Sequence, residues 1–328
     1  MLRILHGTNY DFIKHWRTAA IVTVVFIVLG VGSAIFRGGF PYSIEFTGGT
    51  LMQVQFEREP DVAKLRTTLD NAGVHGAEIT TFGTNRDFTI RAQEASQVAE
   101  QAAGAEKVAN KIEAALKGAF TDNPFKIGRT ETVGPRVGGE LRRGAIIAIL
   151  ISFVVTLAYL AWRFEWRFGL AAVAATAHDI ILTIGFIAIM RLEVSLVVVA
   201  AVLSMVGYSL NDTIIIFDRV RENLHKYKRD HFADILNRSI NETLPRSILT
   251  HGTTLATLTA LAVFGGEVIR PFALVMFFGV FTGTFSSIFI ASPVLMWIEH
   301  KWPGADARGV KNIAPKTTAD PREAVATK

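Results

Sequence analysis

The fold is decided by residues 207–219, which read GYSLNDTIIIFDR. The stretch lies at the end of a long apolar run and places Asp212, with Asn211 beside it, inside that run. A carboxylate at the centre of a membrane span costs roughly 2.5–3.5 kcal/mol on insertion scales. A residue this unfavourable in a membrane span needs either a partner that offsets its cost or a function that requires it. Asp212 therefore marks either an internal ion pair or a working site inside a membrane protein.

The composition is that of a polytopic membrane protein. Of the 328 residues, 50% are hydrophobic and only 19% are charged, and the charged residues are clustered. The net charge of +5 comes from Lys and Arg beside apolar runs, as membrane orientation requires, so no nucleic-acid partner is indicated. Cysteine is absent, which excludes disulfides and thiolate metal sites.

Six apolar stretches are long enough to cross a membrane, since about 20 helical residues span a hydrocarbon core of ~30 Å. These predicted spans are residues 18–36, 144–162, 168–190, 194–217, 247–266 and 271–298. The first stretch has a second interpretation as a cleaved signal peptide, because residues 32–34 resemble a cleavage site. Its apolar run is longer than such peptides usually carry, which favours a retained span.

Residues 37–143 form the long polar region, and they predict a small α+β domain. The expected strands are 50–56, 78–82, 87–91 and 125–133, with a turn at 83–86 and helices at 61–71 and 94–116. The order βαββαβ is that of a ferredoxin-like domain. The predicted fold is therefore a six-helix membrane protein with this domain between helices 1 and 2.

The orientation follows from the basic residues of the short loops. Arg163 and Arg167 lie between spans two and three, and seven Lys or Arg residues lie in the segment 218–246. The alternate loops carry only Arg191 and Arg270. The positive-inside rule places both termini in the cytoplasm, including residues 1–17 and a tail at 299–328 that is expected to be disordered. The domain at 37–143 is then periplasmic, and 218–246 is predicted to be an amphipathic loop on the anionic membrane surface.

Span four carries a polar stripe. Ser204, Tyr208, Asn211 and Asp212 recur at helical spacing, so we expect them to share a face turned toward the bundle interior. Burial would disfavour a charged carboxylate there and a nearby cation would favour it, which suits a group that binds and releases a proton. Alternatively, Asp212 is a purely structural partner of Asn211 or of Arg246.

Polar residues also occur in spans three and five. His178 and Asp179 lie in the middle of span three, where they serve either as part of a proton path or as an inter-helix hydrogen bond. Arg246 stands at the start of span five and is followed by His251 and Thr253, whose neighbouring threonines can also bond to their own helix.

Metal and nucleotide chemistry are not indicated. No two histidines stand at i and i+4, so no metal is expected, and no cofactor is predicted. No GxxxxGK[ST] motif occurs, so the chain has no ATP site of its own. The GxxxG at 279–283 predicts a close helix contact.

Several motifs together resemble the SecF family, the smaller membrane subunits of the SecD–SecF complex in bacterial protein export. The motifs are FTGGT at 46–50, VGPRVGGEL at 133–141, HD at 178–179, GYSLND at 207–212, FDRVREN at 217–223 and RSILT at 246–250. The resemblance covers residues 10–300. It departs at Glu45, where the family usually has aspartate, and at His251, where a small polar residue is common.

The resemblance implies a transmembrane half of the resistance-nodulation-division type that is not an enzyme. It implies SecD, the SecYEG channel, YajC or YidC, translocating preprotein, protons and membrane lipids as partners. By this resemblance Asp212 carries the proton and Arg246 faces it, so that the proton-motive force assists export across the cytoplasmic membrane. The alternatives are a proton-coupled exporter of small molecules or lipids on the same plan, and a scaffold with an inert Asp212–Arg246 pair.

Overall fold

The structure is a computed structural model that describes residues 8–92, 103–163, 165–228 and 230–303. The predicted tail beyond 303 and the start of the helix predicted at 94–116 lie outside the described residues. The helices are α1 (Trp16–Phe36), α2 (Ile44–Thr47), α3 (Val62–Asn71), α4 (Ala103–Ala119), α5 (Pro135–Arg163), α6 (Trp166–Met190), α7 (Leu196–Lys226), α8 (Phe232–Phe264), α9 (Gly266–Ser286) and α10 (Ser292–Lys301). The strands are β1 (Gly49–Phe56), β2 (Glu78–Phe82), β3 (Thr84–Ala92) and β4 (Phe125–Val133).

The chain forms two compact units. The sheet unit contains Phe40–Leu150 and Leu192–Val199, and the helical unit contains the other described residues. Helices α5 and α7 each begin in the sheet unit and continue into the helical unit.

The described residues contain six helical stretches long and apolar enough to cross a membrane, as predicted. They are Ile13–Phe36, Arg136–Leu160, Trp166–Met190, Leu196–Lys226, Phe232–Phe264 and Gly266–Lys301. The last stretch joins α9 and α10 through a π-helical turn at Ser287–Ala291. The chain is therefore a multipass membrane protein.

The segment 218–246, predicted to be an amphipathic loop between spans, is mostly helix. Helix α7 continues to Lys226 and α8 begins at Phe232, which leaves a short turn between them. Ile235, Leu236 and Ile240, expected on a membrane surface, are buried inside the protein. Hydropathy missed these extensions because their charged outer faces hide the buried stripe of an amphipathic helix.

The described N-terminal segment is held against this extension of α8. The backbone N–H of Tyr10 donates to Asn241 Oδ1 at 2.9 Å, and Asn241 Nδ2 donates back to the Tyr10 carbonyl at 2.8 Å. The N–H of Ile13 donates to Asn237 Oδ1 at 3.0 Å. These amide hydrogen bonds thus hold the residues that precede α1 against α8.

The sheet unit has the predicted βαββαβ order. Its four strands are antiparallel in the order β2-β3-β1-β4, the ferredoxin-like arrangement. Alternate residues of β1, including Met52, Val54 and Phe56, pack with Leu65 of α3 and Ile112 of α4 in one apolar core. The alternation works because successive strand residues point to opposite faces.

Two local features of the sheet unit differ from expectation. The turn predicted at 83–86 is shorter, because β3 already begins at Thr84 and only Gly83 separates it from β2. Gly83 has a φ of +80°, which lets the chain reverse tightly. The short helix α2 before β1 was not predicted, and it buries Ile44 and Phe46.

Glycines bring the helices of the helical unit close together. A Cβ added at Gly279 would collide with the Met205 side chain, and one at Gly283 would lie 2.9 Å from Ser209 Cβ. The contact predicted from the GxxxG motif is confirmed, and it is made between α9 and α7. Between α1 and α6, a Cβ at Gly30 would lie 2.6 Å from Gly185 Cα.

We expect Gly30→Ala to destabilise the protein, because the new methyl group meets the backbone of α6. Overpacking of this kind costs roughly 1–3 kcal/mol. Gly32→Ala is the matched control, since nothing lies within 4 Å of a Cβ there. Thermal unfolding in detergent measures both variants. Equal melting temperatures for the two would contradict the close contact.

Candidate functional site

Asp212 is buried between α7 and α8, with 3% of its surface exposed. Its Oδ1 accepts a hydrogen bond of 2.6 Å from Ser247 Oγ of α8. Its Oδ2 is also buried, and among the described residues it has no hydrogen-bond partner. The carboxylate is thus held by one neutral donor and keeps one oxygen unused.

Arg246 is not the direct partner of Asp212, contrary to the pairing expected from the sequence. Arg246 is exposed, and within the described part of the chain no hydrogen bond or ion pair joins it to Asp212. Arg246 and His251 act on the carboxylate through longer-range electrostatic interaction. The reason is geometric: neighbouring residues on a helix point about 100° apart, so when Ser247 faces Asp212, Arg246 faces away.

Tyr208 and His251 extend this contact one turn along α7 and α8. The two rings meet edge to face with centroids 5.4 Å apart, and Tyr208 Oη lies 2.8 Å from Thr254 Oγ1. His251 is buried, and its Nδ1 has no hydrogen-bond partner among the described residues. A second titratable group with unused hydrogen-bonding capacity therefore lies one helical turn beyond Ser247.

Asp179 of α6 is a second buried carboxylate, with 0% of its surface exposed. Its Oδ2 accepts from Ser209 Oγ of α7 at 2.5 Å and from Ser286 Oγ of α9 at 2.7 Å. Its Oδ1 lies 3.0 Å from His178 Nδ1. Asp179 therefore links three helices, and Ser209 stands one turn before Asp212 on α7.

A hydroxyl pair completes the contact between α7 and the sixth span. Thr213 Oγ1 lies 2.7 Å from Ser287 Oγ, at the start of the π-helical turn. Ser292 Oγ donates to the Ser287 carbonyl at 3.1 Å, where the widened turn leaves a backbone acceptor. Buried hydroxyl groups thus lie on both sides of Asp212 along α7, at Ser209 and at Thr213.

The predicted stripe on α7 is split, and its placement toward the interior was wrong for Ser204 and Asn211. Both are exposed, and Ser204 Oγ bonds its own helix at the Ala200 carbonyl at 2.8 Å. Asp212 is eight residues from Ser204 and so lies about 80° further around the helix. That rotation places it at the edge of the buried face.

Asn211 instead lines an open pocket of about 400 Å³ between α5 and α7. The pocket walls include Val155, Thr156 and Tyr159 of α5 and Gly207, Leu210 and Ile214 of α7. Thr253 is exposed and bonds the carbonyls of its own helix at Leu249 and Thr250. Thr253 therefore takes no part in the contact with Asp212.

The serines that hold both carboxylates were missed by sequence reasoning. Ser247 and Ser209 occur within motifs quoted above, but neither was assigned a role. Ser286 and Ser287 were not singled out. The available signal was a small hydroxyl group inside an apolar run, which often marks an inter-helix hydrogen bond.

The arrangement suits proton binding. The Asp212 carboxyl is buried, has one hydroxyl donor in Ser247, and keeps Oδ2 available to accept a proton. Among the described residues, no three histidine or carboxylate side chains lie close enough together to hold a metal ion. The titratable groups of the bundle are held mainly by hydroxyls, which can donate or accept as the charge changes.

Two family models match the chain. Residues 111–301 match the model described as protein export membrane protein SecD/SecF, C-terminal. Residues 33–59 match the SecD/SecF GG motif, which covers α2 and β1. The first match takes in more than half of the chain.

The chain is similar to curated proteins over nearly its full length. It is 58% identical to protein translocase subunit SecF of Gemmatimonas aurantiaca, over 97% of each chain. It is 38% identical to protein translocase subunit SecF of Rickettsia conorii, over 92% of this chain and 96% of that one.

Solved structures show the same fold. The SecDF crystal structure from Thermus thermophilus, described as a translocon-associated membrane protein, matches 92% of this chain with a TM-score of 0.79 and 34% identity. A second SecDF structure, in a super-membrane-facing form, matches 91% with a TM-score of 0.65 and 36% identity. The chain spans 40% of the length of each solved chain.

We expect Ser286→Ala to destabilise the helical unit, because it removes one donor from the fully buried Asp179. Inter-helix hydrogen bonds in membranes average about 0.6 kcal/mol and reach about 1.7 kcal/mol. Ser204→Ala is the matched control, since that hydroxyl is exposed and bonds its own helix. Thermal unfolding of both variants tests this, and an equal effect would contradict the role given to Ser286.

Proposed function

Because the chain belongs to the SecF family of protein translocase subunits, we propose that it couples proton movement to a late step of preprotein export. It is an accessory membrane component of Sec translocation, and nearly full-length similarity to SecF sets the exporter alternative aside. The proposed proton carrier is Asp212. The observation that carries the proposal is its buried carboxylate, held by Ser247 and without an ion pair among the described residues.

The proton step is a simple addition. A proton binds the unused Oδ2 of Asp212, the carboxylate becomes neutral, and its electrostatic attraction to Arg246 is lost. Ser247 can then accept as well as donate, so the contact between α7 and α8 can re-form in a second packing. Release of the same proton toward the other side restores the charge and the first packing.

The available energy is adequate for such a switch. One proton crossing about 150 mV yields roughly 3.5 kcal/mol, at about 2.3 kcal/mol per 100 mV. That energy shifts a two-state equilibrium by roughly a few hundred-fold. A modest repacking of α7 against α8 lies within this range, whereas unfolding of the bundle does not.

SecD is the partner that the similarity to SecDF supports. The exposed Ser204 and Asn211 on α7, beside the pocket against α5, suit an inter-helix contact. Polar side chains at membrane depth are normally covered by protein rather than by lipid. We propose that a SecD helix covers this face. The SecYEG channel, YajC or YidC, preprotein and membrane lipids are further proposed partners, on family resemblance.

The proposed location is the bacterial cytoplasmic membrane, with both termini in the cytoplasm and the sheet unit in the periplasm. The basic residues of the short loops support this orientation. In the proposed arrangement, the proton enters from the periplasm, and preprotein is assisted as it emerges there.

Single-cysteine labelling tests the orientation, because the natural chain has no cysteine. Thr67→Cys on the exposed face of α3 should react with a membrane-impermeant maleimide in spheroplasts. Lys228→Cys, in the turn between α7 and α8, should react only after lysis. The reverse pattern would show the opposite orientation.

We expect Asp212→Asn to abolish the stimulation of export by the proton-motive force, because an amide cannot bind and release the proton. Asp218→Asn is the matched control, on the same helix but exposed. Preprotein translocation and proton flux in inverted membrane vesicles measure the effect, at equal protein level and equal association with SecD. Undiminished stimulation in Asp212→Asn would refute the proposal, and an inert scaffold would then be favoured.

A further inference from the structure

The residues just before α7 are tied to the segment that precedes β1. The backbone N–H of Val194 donates to the Pro41 carbonyl at 2.7 Å, and the N–H of Ser43 donates to the Val194 carbonyl at 3.0 Å. These bonds form a short bridge between Tyr42 and Val194. Both segments belong to the sheet unit.

Glu45 binds the N-terminus of α7 directly. Its Oε2 accepts from the backbone N–H of Leu196, the first residue of that helix, at 2.6 Å. Ser43 Oγ donates to the same oxygen at 3.2 Å. A carboxylate is favoured at this position because the first N–H groups of a helix have no partner within it and carry positive partial charge.

This contact is not needed merely to begin the helix. Ser195 already caps α7 locally, since its Oγ accepts from the N–H of Val198 at 3.3 Å. Glu45 lies 151 residues before Leu196 in the sequence. Its contact therefore joins two distant parts of the chain, which a local cap cannot do.

A third contact secures the same segment from β3. Arg91 donates from one guanidinium nitrogen to Glu193 at 2.6 Å and from another to Glu78 at 3.0 Å. The Arg91 side chain is largely buried, so this ion pair is better shielded from solvent than a surface pair. The residues entering α7 are thus bound by β3 as well as by the segment before β1.

The start of α5 packs on the same turn. A Cβ added at Gly138 would lie 3.0 Å from Gly48 N and 3.3 Å from the Phe46 carbonyl oxygen. Gly48 and Gly49 have φ values of +76° and +126°, which side chains with a Cβ rarely adopt. Glycine is therefore required at three positions. Gly48 and Gly49 allow the backbone of the turn, and Gly138 allows the close approach of α5.

We propose that residues 41–49 form a fixed joint, with Glu45 as its positioning residue, that ties the first turns of α5 and α7 to β1. The proposal rests on the proposed function. Helix α7 is continuous from Leu196 to Asp212, a distance of about 24 Å at 1.5 Å per residue. A shift of α7 caused by a proton on Asp212 therefore reaches the sheet unit through this joint.

The test separates proton movement from export. Vesicles containing Glu45→Ala should keep the proton flux, because Asp212, Ser247 and His251 are untouched. Their export per proton should fall by roughly five-fold, the change in an equilibrium that loss of one hydrogen bond produces. Glu45→Asp keeps a carboxylate and should retain most of the coupling. Glu59→Ala, an exposed glutamate of the same unit, is the control and should behave as the natural chain.

The outcomes are distinct. Unchanged export per proton in Glu45→Ala overturns the joint, and so does an equal fall of flux and export at normal protein level. If Glu45→Ala fails to accumulate, Glu45→Gln replaces it with the same two readouts and the same criteria. Failure of the proposed function shows instead in Asp212→Asn, as flux and export that both remain normal.

A cross-link tests whether the joint stays closed. Tyr42→Cys combined with Val194→Cys places two cysteines at the bridge, in a chain that has no others. We expect equal stimulation of export in the oxidised and the reduced protein, because a fixed joint does not need to open. Loss of stimulation on oxidation, restored by reduction, would overturn the proposal.

Discussion

Burial of the Asp212 carboxylate between α7 and α8 is the constraint on which the helical unit depends. Removing a carboxylate from water carries a large desolvation cost, which only polar contacts offset. Here the direct contact is the neutral donor Ser247, while Arg246 and His251 act from further away. A tight salt bridge would hold one charge state. A hydroxyl contact with a spare oxygen leaves both protonation states of the carboxylate available.

Helix packing supplies the rest of this environment. Gly279 and Gly283 let α9 approach α7 closely, and that approach brings Ser286 and Ser287 within reach of their partners. The π-helical turn between α9 and α10 lies at the same level. Small residues thus serve two purposes in this bundle: they allow close backbone approach, and their hydroxyls satisfy buried carboxylates. Asp179 shows this directly, because the hydroxyls of Ser209 and Ser286 join it to α7 and α9.

Helix α7 carries Asp212 and begins within the sheet unit. Its extension to Lys226 and the matching extension of α8 make a long, stiff pair that reaches past the apolar spans. Close-packed contacts transmit strain from a helix to the elements packed against it. The contacts of Glu45 and Arg91 with the residues around Leu196 hold that end.

The sequence by itself determined the six spans, the βαββαβ order and the presence of the Asp212 carboxylate within an apolar helix. Each of these follows from a local pattern: an apolar run, an alternation of side chains, or a charge where none is expected. Which side chain meets Asp212 was decided only by the tertiary structure, which chose Ser247 rather than Arg246. It also turned Asn211 outward and brought the Glu45 carboxylate to the N-terminus of α7. The rotation of a helix about its axis depends on how its neighbours pack, and a one-residue change in facing moves a side chain by about 100°, so spacing alone could not settle these contacts.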